Sequence, residues 1–343
     1  MKENLSYFKI MNNKRLISIL AISLVLVIPA KSDDAGVAGF DFLNIQPGSH
    51  PVSLAGAYTA GYGDAYSFAY NPAGLTGIKN RTFMFDYLHY VLDISRGMIG
   101  FAVPRKDTSG NQTVFGTYLN YLNAGSFEIA DGDGNMTGET FSSGSYELGF
   151  SAAKDIPASL FGHPLQVGAT VKGLFEQVSY QNWSAFALDA GVQYLVSGGR
   201  VRLGASARNI GLTFKEVDSF PLATSYSLGL SLTSRSWQNA RFYTDYNYPV
   251  YGAASLRTGL DLRMNRDVYL RFGYRFLWSE VKHLYNIIAG KTESEAYARS
   301  DINNFAAGLG IRFARYYTLD LAVQTTTFER APLISATMQY AWK

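Results

Sequence analysis

Residues 256–264 read LRTGLDLRM and alternate between apolar and polar side chains. The even positions from Leu256 to Met264 are mostly apolar, whereas the odd positions carry two arginines, an aspartate and a glycine. Residues 268–276, VYLRFGYRF, repeat the pattern with arginines at 271 and 275. Alternation with a period of two is typical of a β-strand whose two faces meet different surroundings. One face of these two segments is apolar and the other is charged.

The same alternation recurs in about fourteen short segments from Thr82 to Trp342. So many consecutive strands with charged residues on the second face need a polar lumen and a lipid exterior. The sequence therefore predicts an all-β fold, a transmembrane antiparallel β-barrel of about 14 strands, over residues 81–343. The even number of segments agrees with the strand count of single-chain bacterial barrels.

Connection lengths support this topology. The links after the sixth, tenth and twelfth segments are tight, whereas those after the third, seventh and eleventh are long. Short periplasmic turns and longer external loops are the rule in outer-membrane barrels. We expect the longest link, residues 277–303, to be external and to contain some helix.

Composition excludes several other classes of protein. The 343 residues have a mean hydropathy of −0.03 and are 15% aromatic, whereas each helical membrane span would need about 20 continuous apolar residues. The net charge of +3 is too small to indicate a nucleic-acid partner. Cysteine is absent, which excludes disulfides, thiol catalysis and thiolate metal sites. We expect no cofactor.

The first 32 residues have the pattern of a cleaved secretory signal peptide. Lys14 and Arg15 precede the apolar stretch 16–28, and small residues follow at Ala30 and Ser32. Met11 is an alternative start site. The predicted location is the outer membrane of a Gram-negative-type envelope. Residues 33–80 are rich in Gly, Ala, Tyr and Ser, and they either plug the lumen or lie beneath it as a periplasmic cap.

The inward face of the predicted strands contains more bases than acids. The set comprises Asp86, Glu147, Asp189, Asp245, Asp261, Asp320, Arg96, Lys172, Arg202, Arg208, Arg241, Arg257, Arg263, Arg271, Arg275 and Arg312. Buried lone charges are costly, so most should pair across strands. The assumed registers place Asp261 opposite Arg271, and Arg312 opposite Asp320. These pairs are structural ladders or part of a binding surface or anion path.

Two further sets of residues are candidates for catalytic or metal sites. The histidines His50, His89, His163 and His283 show no spacing typical of metal ligands or of a nucleophile and its base, so we expect no enzyme activity. Asp131, Asp133 and Asn135 imitate the start of a calcium loop. However, Met136 and Ser142 occupy the positions of the required glycine and glutamate, and a hairpin tip explains the same residues.

The segment Asn71-Pro72-Ala73-Gly74, just before the first strand, should turn the chain sharply. Proline fixes its own φ and biases Asn71 away from helix, and Gly74 permits a positive φ. The segment is a rigid corner, or a corner that gates the base of the barrel.

Several motifs together resemble the PorV/PorQ family of outer-membrane proteins. They are Leu54-Ala55-Gly56-Ala57-Tyr58-Thr59-Ala60, Asp64-Ala65, Asn71-Pro72-Ala73-Gly74-Leu75, the long third loop from Gly125 to Phe141, Ala207-Arg208-Asn209-Ile210-Gly211 and Phe272-Gly273-Tyr274. The resemblance covers nearly the whole predicted mature chain. Ser53-Leu54-Ala55-Gly56 replaces a more glycine-rich stretch of the family, and Lys343 follows Trp342 where many barrels end on an aromatic residue.

The NPAGL motif is also similar to the corresponding region of FadL-type channels for hydrophobic compounds. The PorV/PorQ resemblance implies a non-enzymatic barrel in type IX protein secretion, with secreted cargo or secretion-system proteins as partners. The FadL resemblance implies a passive channel for apolar small ligands. Because the overall match to PorV/PorQ is closer, we favour the partner-binding interpretation, with the FadL-type channel as the alternative and a purely structural barrel in contact with membrane lipid as a second alternative.

Overall fold

The computed structural model describes residues 38–343 except 91–93, 107, 109, 134, 157–164, 197–199, 215–219, 234–238, 278–304 and 326–331. Fourteen antiparallel strands form a closed barrel, which confirms the predicted fold class. The predicted signal peptide and the predicted helix in the link 277–303 lie outside the described residues. No helix among the described ranges is long and apolar enough to cross a membrane.

Each strand pairs with its neighbours in the chain, and β1 pairs with β14 to close the barrel. The strands are β1 (Arg81–His89), β2 (Ser95–Lys106), β3 (Gln112–Ala130), β4 (Met136–Ile156), β5 (Leu165–Val178), β6 (Gln181–Val196), β7 (Val201–Thr213), β8 (Ser225–Thr233), β9 (Ala240–Pro249), β10 (Ser255–Arg263), β11 (Val268–Leu277), β12 (Phe305–Phe313), β13 (Tyr317–Gln324) and β14 (Leu333–Trp342). We call the end at which β1 begins and β14 ends the turn end, and the opposite end the loop end.

The alternating residues of each strand face the outside and the inside of the barrel in turn. On β1, Phe83, Phe85 and Tyr87 are 38–40% exposed on the outer surface, whereas Met84 and Asp86 are fully buried in the lumen. Aromatic and aliphatic side chains cover the outer surface of the other strands in the same way. An apolar exterior around a polar interior is the arrangement that a bilayer requires of a barrel.

The third predicted loop is largely strand. β3 and β4 pair from Thr113 and Lys154 at the turn end out to Ala130 and Met136, with register shifts after Asn123 and after Glu128. Residues 125–141 therefore form a hairpin, which continues beyond the last paired residues of the neighbouring strands β2 and β5. The sequence pattern missed this extension because polar residues occupy both faces of the hairpin once it leaves the bilayer.

Residues 38–80 lie inside the barrel, and we call them the plug. They form four short helical turns, Asp41–Asn44, Ser49–Ser53, Ser67–Tyr70 and Pro72–Gly77. The turn Ser49–Ser53 packs against β11 to β14, and the turn Pro72–Gly77 packs against β3 to β6. The plug therefore contacts opposite sides of the wall. Of the two arrangements that the sequence left open, the structure has the segment within the lumen rather than beneath it.

The plug runs so close to the wall that eight inward positions of the described strands have no room for a side chain. A Cβ atom at each of them would lie 1.9–2.7 Å from a plug atom; these positions are Gly116, Gly168, Gly191, Gly204, Gly229, Gly259, Gly273 and Gly308. Glycine in a strand interior often marks a close backbone approach. The glycines of the wall thus fit the path of the plug.

We expect Gly273→Ala to destabilise the barrel, because its Cβ would lie 2.3 Å from backbone atoms of Leu54 and Ala55. Overpacking of this kind costs about 1–3 kcal/mol. The measurement is the free energy of unfolding in detergent micelles. Gly173→Ala is the matched control, since a Cβ there meets nothing within 4 Å. Equal losses in the two variants would contradict close plug packing.

Candidate functional site: the plug and the lumen wall

Side chains of the wall bond the backbone of the plug. Asp245 Oδ2 accepts from the Thr59 N–H at 2.6 Å, and Asp86 Oδ2 accepts from the Gly48 N–H at 3.0 Å. Gln193 Nε2 donates to the Gly61 carbonyl at 2.7 Å. Buried backbone groups need such partners, and the short helical turns of the plug satisfy only part of its backbone. The polar inward positions of the strands therefore supply bonds that secondary structure supplies elsewhere.

Asn71 is the most extensively bonded residue of the corner. Its Nδ2 donates to the carbonyls of Thr59 at 2.8 Å, Val192 at 3.2 Å and Ala205 at 3.3 Å. Its Oδ1 accepts from the Ala73 N–H at 3.1 Å and caps the following 3-10 turn. The side chain thus joins two parts of the plug to two strands of the wall.

The reason for glycine at position 74 differs from the sequence-based expectation. Gly74 is not among the described residues with a positive φ. A Cβ atom there would instead lie 2.5 Å from the Gly61 carbonyl oxygen and 2.6 Å from Ser67 Oγ. Close packing, rather than a left-handed turn, therefore accounts for Gly74. Pro72 begins the 3-10 turn, and Ala73 is fully buried within it.

Asp261 and Arg271 stand opposite each other in register on β10 and β11, with 3.5 Å between Asp261 Oδ2 and Arg271 Nε. Arg271 also donates from its guanidinium to Asp320 Oδ1 at 2.6 Å. A Cβ at Gly310 would lie 2.6 Å from this guanidinium, so the glycine leaves room for it. One buried arginine therefore joins carboxylates from two other strands.

The predicted pair of Arg312 and Asp320 is wrong. Arg312 lies opposite Thr318, and Asp320 lies opposite Gly310. The turn contains three residues, with Ala314 and Arg315 in the left-handed region, whereas the predicted register placed Ala314 opposite Thr318. The turn lies one residue earlier in the chain than predicted, so Arg312 faces Thr318 instead of Asp320. Asp320 is bound by Arg271 instead.

His50 links the plug to this charged cluster. Its Nε2 lies 3.2 Å from Asp261 Oδ2, and its Nδ1 lies 3.8 Å from Asp64 Oδ2. The Tyr58 hydroxyl donates to the same Asp64 carboxylate. Burial raises the pKa of the Asp64 carboxyl above its ordinary value. His163 and His283 lie outside the described residues.

A second charged cluster was not identified as a unit from the sequence. Lys172 Nζ lies 2.9 Å from Asp189 Oδ1 and 3.4 Å from Glu147 Oε1, and it also donates to Asn209 Oδ1. Asn209 adopts a left-handed conformation at φ 58° and donates its N–H to Asp189 at 2.7 Å. The β-bulge between β6 and β7 therefore places Asn209 against charges from three strands, β4 to β6. The available signal in the sequence for this cluster was Asn209, an asparagine within a predicted strand.

The calcium candidate is explained by the hairpin tip. Asp131 Oδ1 accepts from the N–H groups of Asp133 and Asn135, and its Oδ2 accepts from the Asn135 amide. These oxygens are thus engaged by the turn itself. Within the described ranges, no three acidic, histidine or cysteine side chains group together to hold a metal ion.

β7 extends beyond β8 at the same bulge. The described pairing between β7 and β8 ends at Arg208 and Ser225, although β7 continues to Thr213 and stays paired to β6. Residues 220–224, which we call the strap, lie next to this extension of β7. The Thr224 hydroxyl donates to the Asn209 carbonyl at 2.8 Å, and the Gly39 N–H of the plug donates to the Pro221 carbonyl at 3.0 Å.

An apolar cluster of packed side chains lies behind the strap at the loop end. Its buried members come from the plug, from β5 and β6 and from the strap, and they are Phe40, Phe42, Leu174, Ala185, Ala187 and Leu222. A cavity of about 600 Å³ adjoins it, with Phe42, Leu122 and Glu176 among its lining residues. The apolar cluster thus lies between the strap and a cavity whose lining also includes Asp41, Gln46 and Arg275.

An apolar groove lies along β6 to β9 in the same sector of the wall. Its volume is about 430 Å³, and Val192, Ala205, Ala207, Leu228 and Tyr248 are among the residues that line it. Small side chains make the depression, and aromatic ones rim it. Gly191 also lines the groove, and a Cβ there would meet Asn71 Oδ1 at 1.9 Å. The corner of the plug therefore backs directly onto the groove.

Comparison with known proteins supports the fold. Two crystal structures of the Pseudomonas putida toluene transporter TodX match this chain at 12% sequence identity with TM-scores of 0.53 and 0.52. The first match covers 82% of this chain and 94% of TodX, and the second covers 92% and 98%. No protein-family model and no curated protein matches the sequence. The resemblance to the PorV/PorQ family thus rests on its motifs alone.

We expect Asn71→Ala to lower the free energy of unfolding by about 1–3 kcal/mol, because it removes the partner of several buried backbone groups. Denaturant unfolding in micelles measures the loss, and protease cleavage within the plug reports its release. Asn123→Ala is the control, since the Asn123 side chain caps an exposed turn through the Gly125 N–H. Similar losses in both variants would show that the corner does not fasten the plug.

Proposed function

We propose that this protein is an outer-membrane channel that passes small apolar molecules from the loop end sideways into the bilayer. The observation that carries the proposal is the extension of β7 beyond its described pairing with β8, with an apolar cluster behind it and an apolar groove in the same sector. Loops of this length are external in barrels of this membrane, so the loop end would face the outside.

The sideways route is favoured by what lies along the axis of the barrel. Leu54, Tyr58 and Phe68 of the plug are at most 1% exposed, so the plug fills the middle of the lumen. Toward the turn end the lining becomes charged, with Arg271, Asp261 and Asp320 in contact. An apolar molecule gains about 25 cal/mol per Å² by leaving water for lipid, and it gains nothing by crossing a charged lumen.

The shared fold of the toluene transporter TodX supports the same class of cargo. The FadL-like Asn71-Pro72-Ala73-Gly74 corner bonds the wall strands that carry the groove, close to the end of the described β7–β8 pairing, where it would control the route. The protein would act as a passive, non-enzymatic channel whose partners are membrane lipid and an apolar ligand. A role in type IX secretion finds no support in the comparisons.

The groove provides a first test. We expect Ala205→Trp combined with Ala207→Trp to reduce toluene uptake at least about fivefold, because both side chains would fill the groove. Uptake of radiolabelled toluene is measured in cells whose outer membrane contains the barrel. Ala307→Trp is the matched control, since Ala307 faces outward on β12, away from the groove. Equal uptake by the groove variant and the control would exclude this exit.

The strap provides a second test. A Cβ on Gly39 would lie 3.0 Å from the Phe220 Cβ, close to the spacing of about 3.5–4.5 Å in a disulfide. Because the chain has no cysteine, Gly39→Cys with Phe220→Cys introduces one defined pair. We expect oxidation to abolish toluene uptake by fastening the strap to the plug, and reduction to restore it.

Each single cysteine variant serves as a control for the strap experiment. Uptake that is independent of oxidation in the double variant, with the disulfide verified by mass spectrometry, would show that the strap does not move during passage. If oxidation of the strap variant changes the export of secreted proteins but not toluene uptake, the result favours the partner-binding interpretation of the motifs over the channel.

A further inference from the structure

A third cavity, at the turn end of the lumen, is polar and differs from the apolar cluster at the loop end. Its volume is about 410 Å³, and four arginines line it together with tyrosines and three aspartates. The arginines are Arg241, Arg263, Arg271 and Arg312. They come from four adjacent strands, β9 to β12, and all project inward at the same end of the barrel.

The carboxylates of this cavity are already engaged by inner groups. Asp320 accepts from Arg271 at 2.6 Å and from the Tyr66 hydroxyl at 2.7 Å. Asp261 lies beside Arg271 and His50, and Asp64 accepts from Tyr58. Arg271 is therefore neutralised, whereas Arg241, Arg263 and Arg312 have no carboxylate within 4 Å in the part of the chain that the structure describes.

Three of the guanidinium groups surround one aromatic ring. Arg263, Arg271 and Arg312 place their guanidinium carbons 6.0, 5.5 and 5.5 Å from the centre of the Tyr269 ring. Cation–π contacts with this ring stabilise each group. Like charges gathered around one ring nevertheless repel one another, and a bound anion would remove that repulsion.

Neutral contacts orient two of the unpaired arginines. Arg263 donates to the backbone carbonyls of Asn265 at 3.0 Å and Arg266 at 3.3 Å. Arg241 donates from Nε to Thr233 Oγ1 at 3.1 Å. Held in this way, their remaining N–H groups face the cavity at a low entropic cost. Guanidinium groups bind phosphate and carboxylate with paired hydrogen bonds, so the cavity suits an oxyanion.

We propose that the cavity bounded by Arg241, Arg263 and Arg312 is a binding site for a soluble phosphate-bearing or carboxylate-bearing anion on the turn-end side of the plug. The side chains project into the lumen, which favours a soluble anion over the headgroup of a membrane lipid. The site is separate from the apolar route, because the plug lies between the two. A channel for apolar molecules would retain it as an additional site.

Calorimetric titration with inorganic phosphate, on the full-length barrel in a neutral detergent, tests the site. We expect one saturable site, and Arg263→Gln with Arg312→Gln should weaken binding at least about tenfold. Arg266→Gln is the matched control, since it removes the same charge from the exposed turn at the same end. Equal weakening by the control and the double variant would overturn the site in favour of a diffuse charge effect.

Two additional measurements keep the test decisive. If the double variant fails to fold, the single Arg241→Gln variant, altered at an exposed position, should still weaken phosphate binding about threefold. Equal phosphate affinity in phosphatidylcholine and phosphatidylglycerol nanodiscs supports a soluble anion, whereas loss of binding in phosphatidylglycerol would assign the site to lipid headgroups and overturn the proposal. Toluene uptake is independent of this binding, so failure of the proposed channel would be recognised separately.

Discussion

The close fit of an irregular chain inside a closed wall is the constraint on which the rest of the structure depends. A barrel of fourteen strands leaves an interior that side chains of its own strands do not fill, and residues 38–80 fill it. Their backbone approaches the wall so nearly that Gly191 and Gly273 have no room for a Cβ. Where the wall has longer side chains, such as Asp245 and Gln193, these bond the backbone of the plug.

The same fit governs where charge is placed in the lumen. Buried carboxylates are tolerated because each one meets a cation or several donors, and the plug supplies many of those donors. Tyr66 reaches Asp320, and His50 reaches Asp261. Arg241, Arg263 and Arg312 face the open turn end and have no carboxylate within 4 Å among the described residues. The charges of the lumen are thus balanced where the plug fills it, whereas the open turn end is basic.

Much of the fold could be predicted from the sequence, because strands between lipid and a polar lumen alternate apolar and polar side chains with a period of two. The alternation over 256–264 gave the faces of β10, and with the tight turn that follows it placed Asp261 opposite Arg271. The partner of Arg312 was not predictable, because the register between β12 and β13 depends on left-handed conformations at Ala314 and Arg315. Neither alanine nor arginine is a residue type that predicts such a conformation. The role of Asn209 and the path of the plug depend on contacts between distant residues, which a local pattern does not contain.

The attachment of Gly48 and Ser49 has a consequence for how the molecule is assembled. Asp86 on β1 accepts from the Gly48 N–H, and Thr337 on β14 accepts from the Ser49 N–H, while Thr337 also donates to Asp86. These two strands form the seam at which the first and last strands meet. The inner side of this seam is completed by Gly48 and Ser49 of the plug. Closure of the barrel and placement of the plug are therefore coupled through one set of hydrogen bonds, which neither can form without the other.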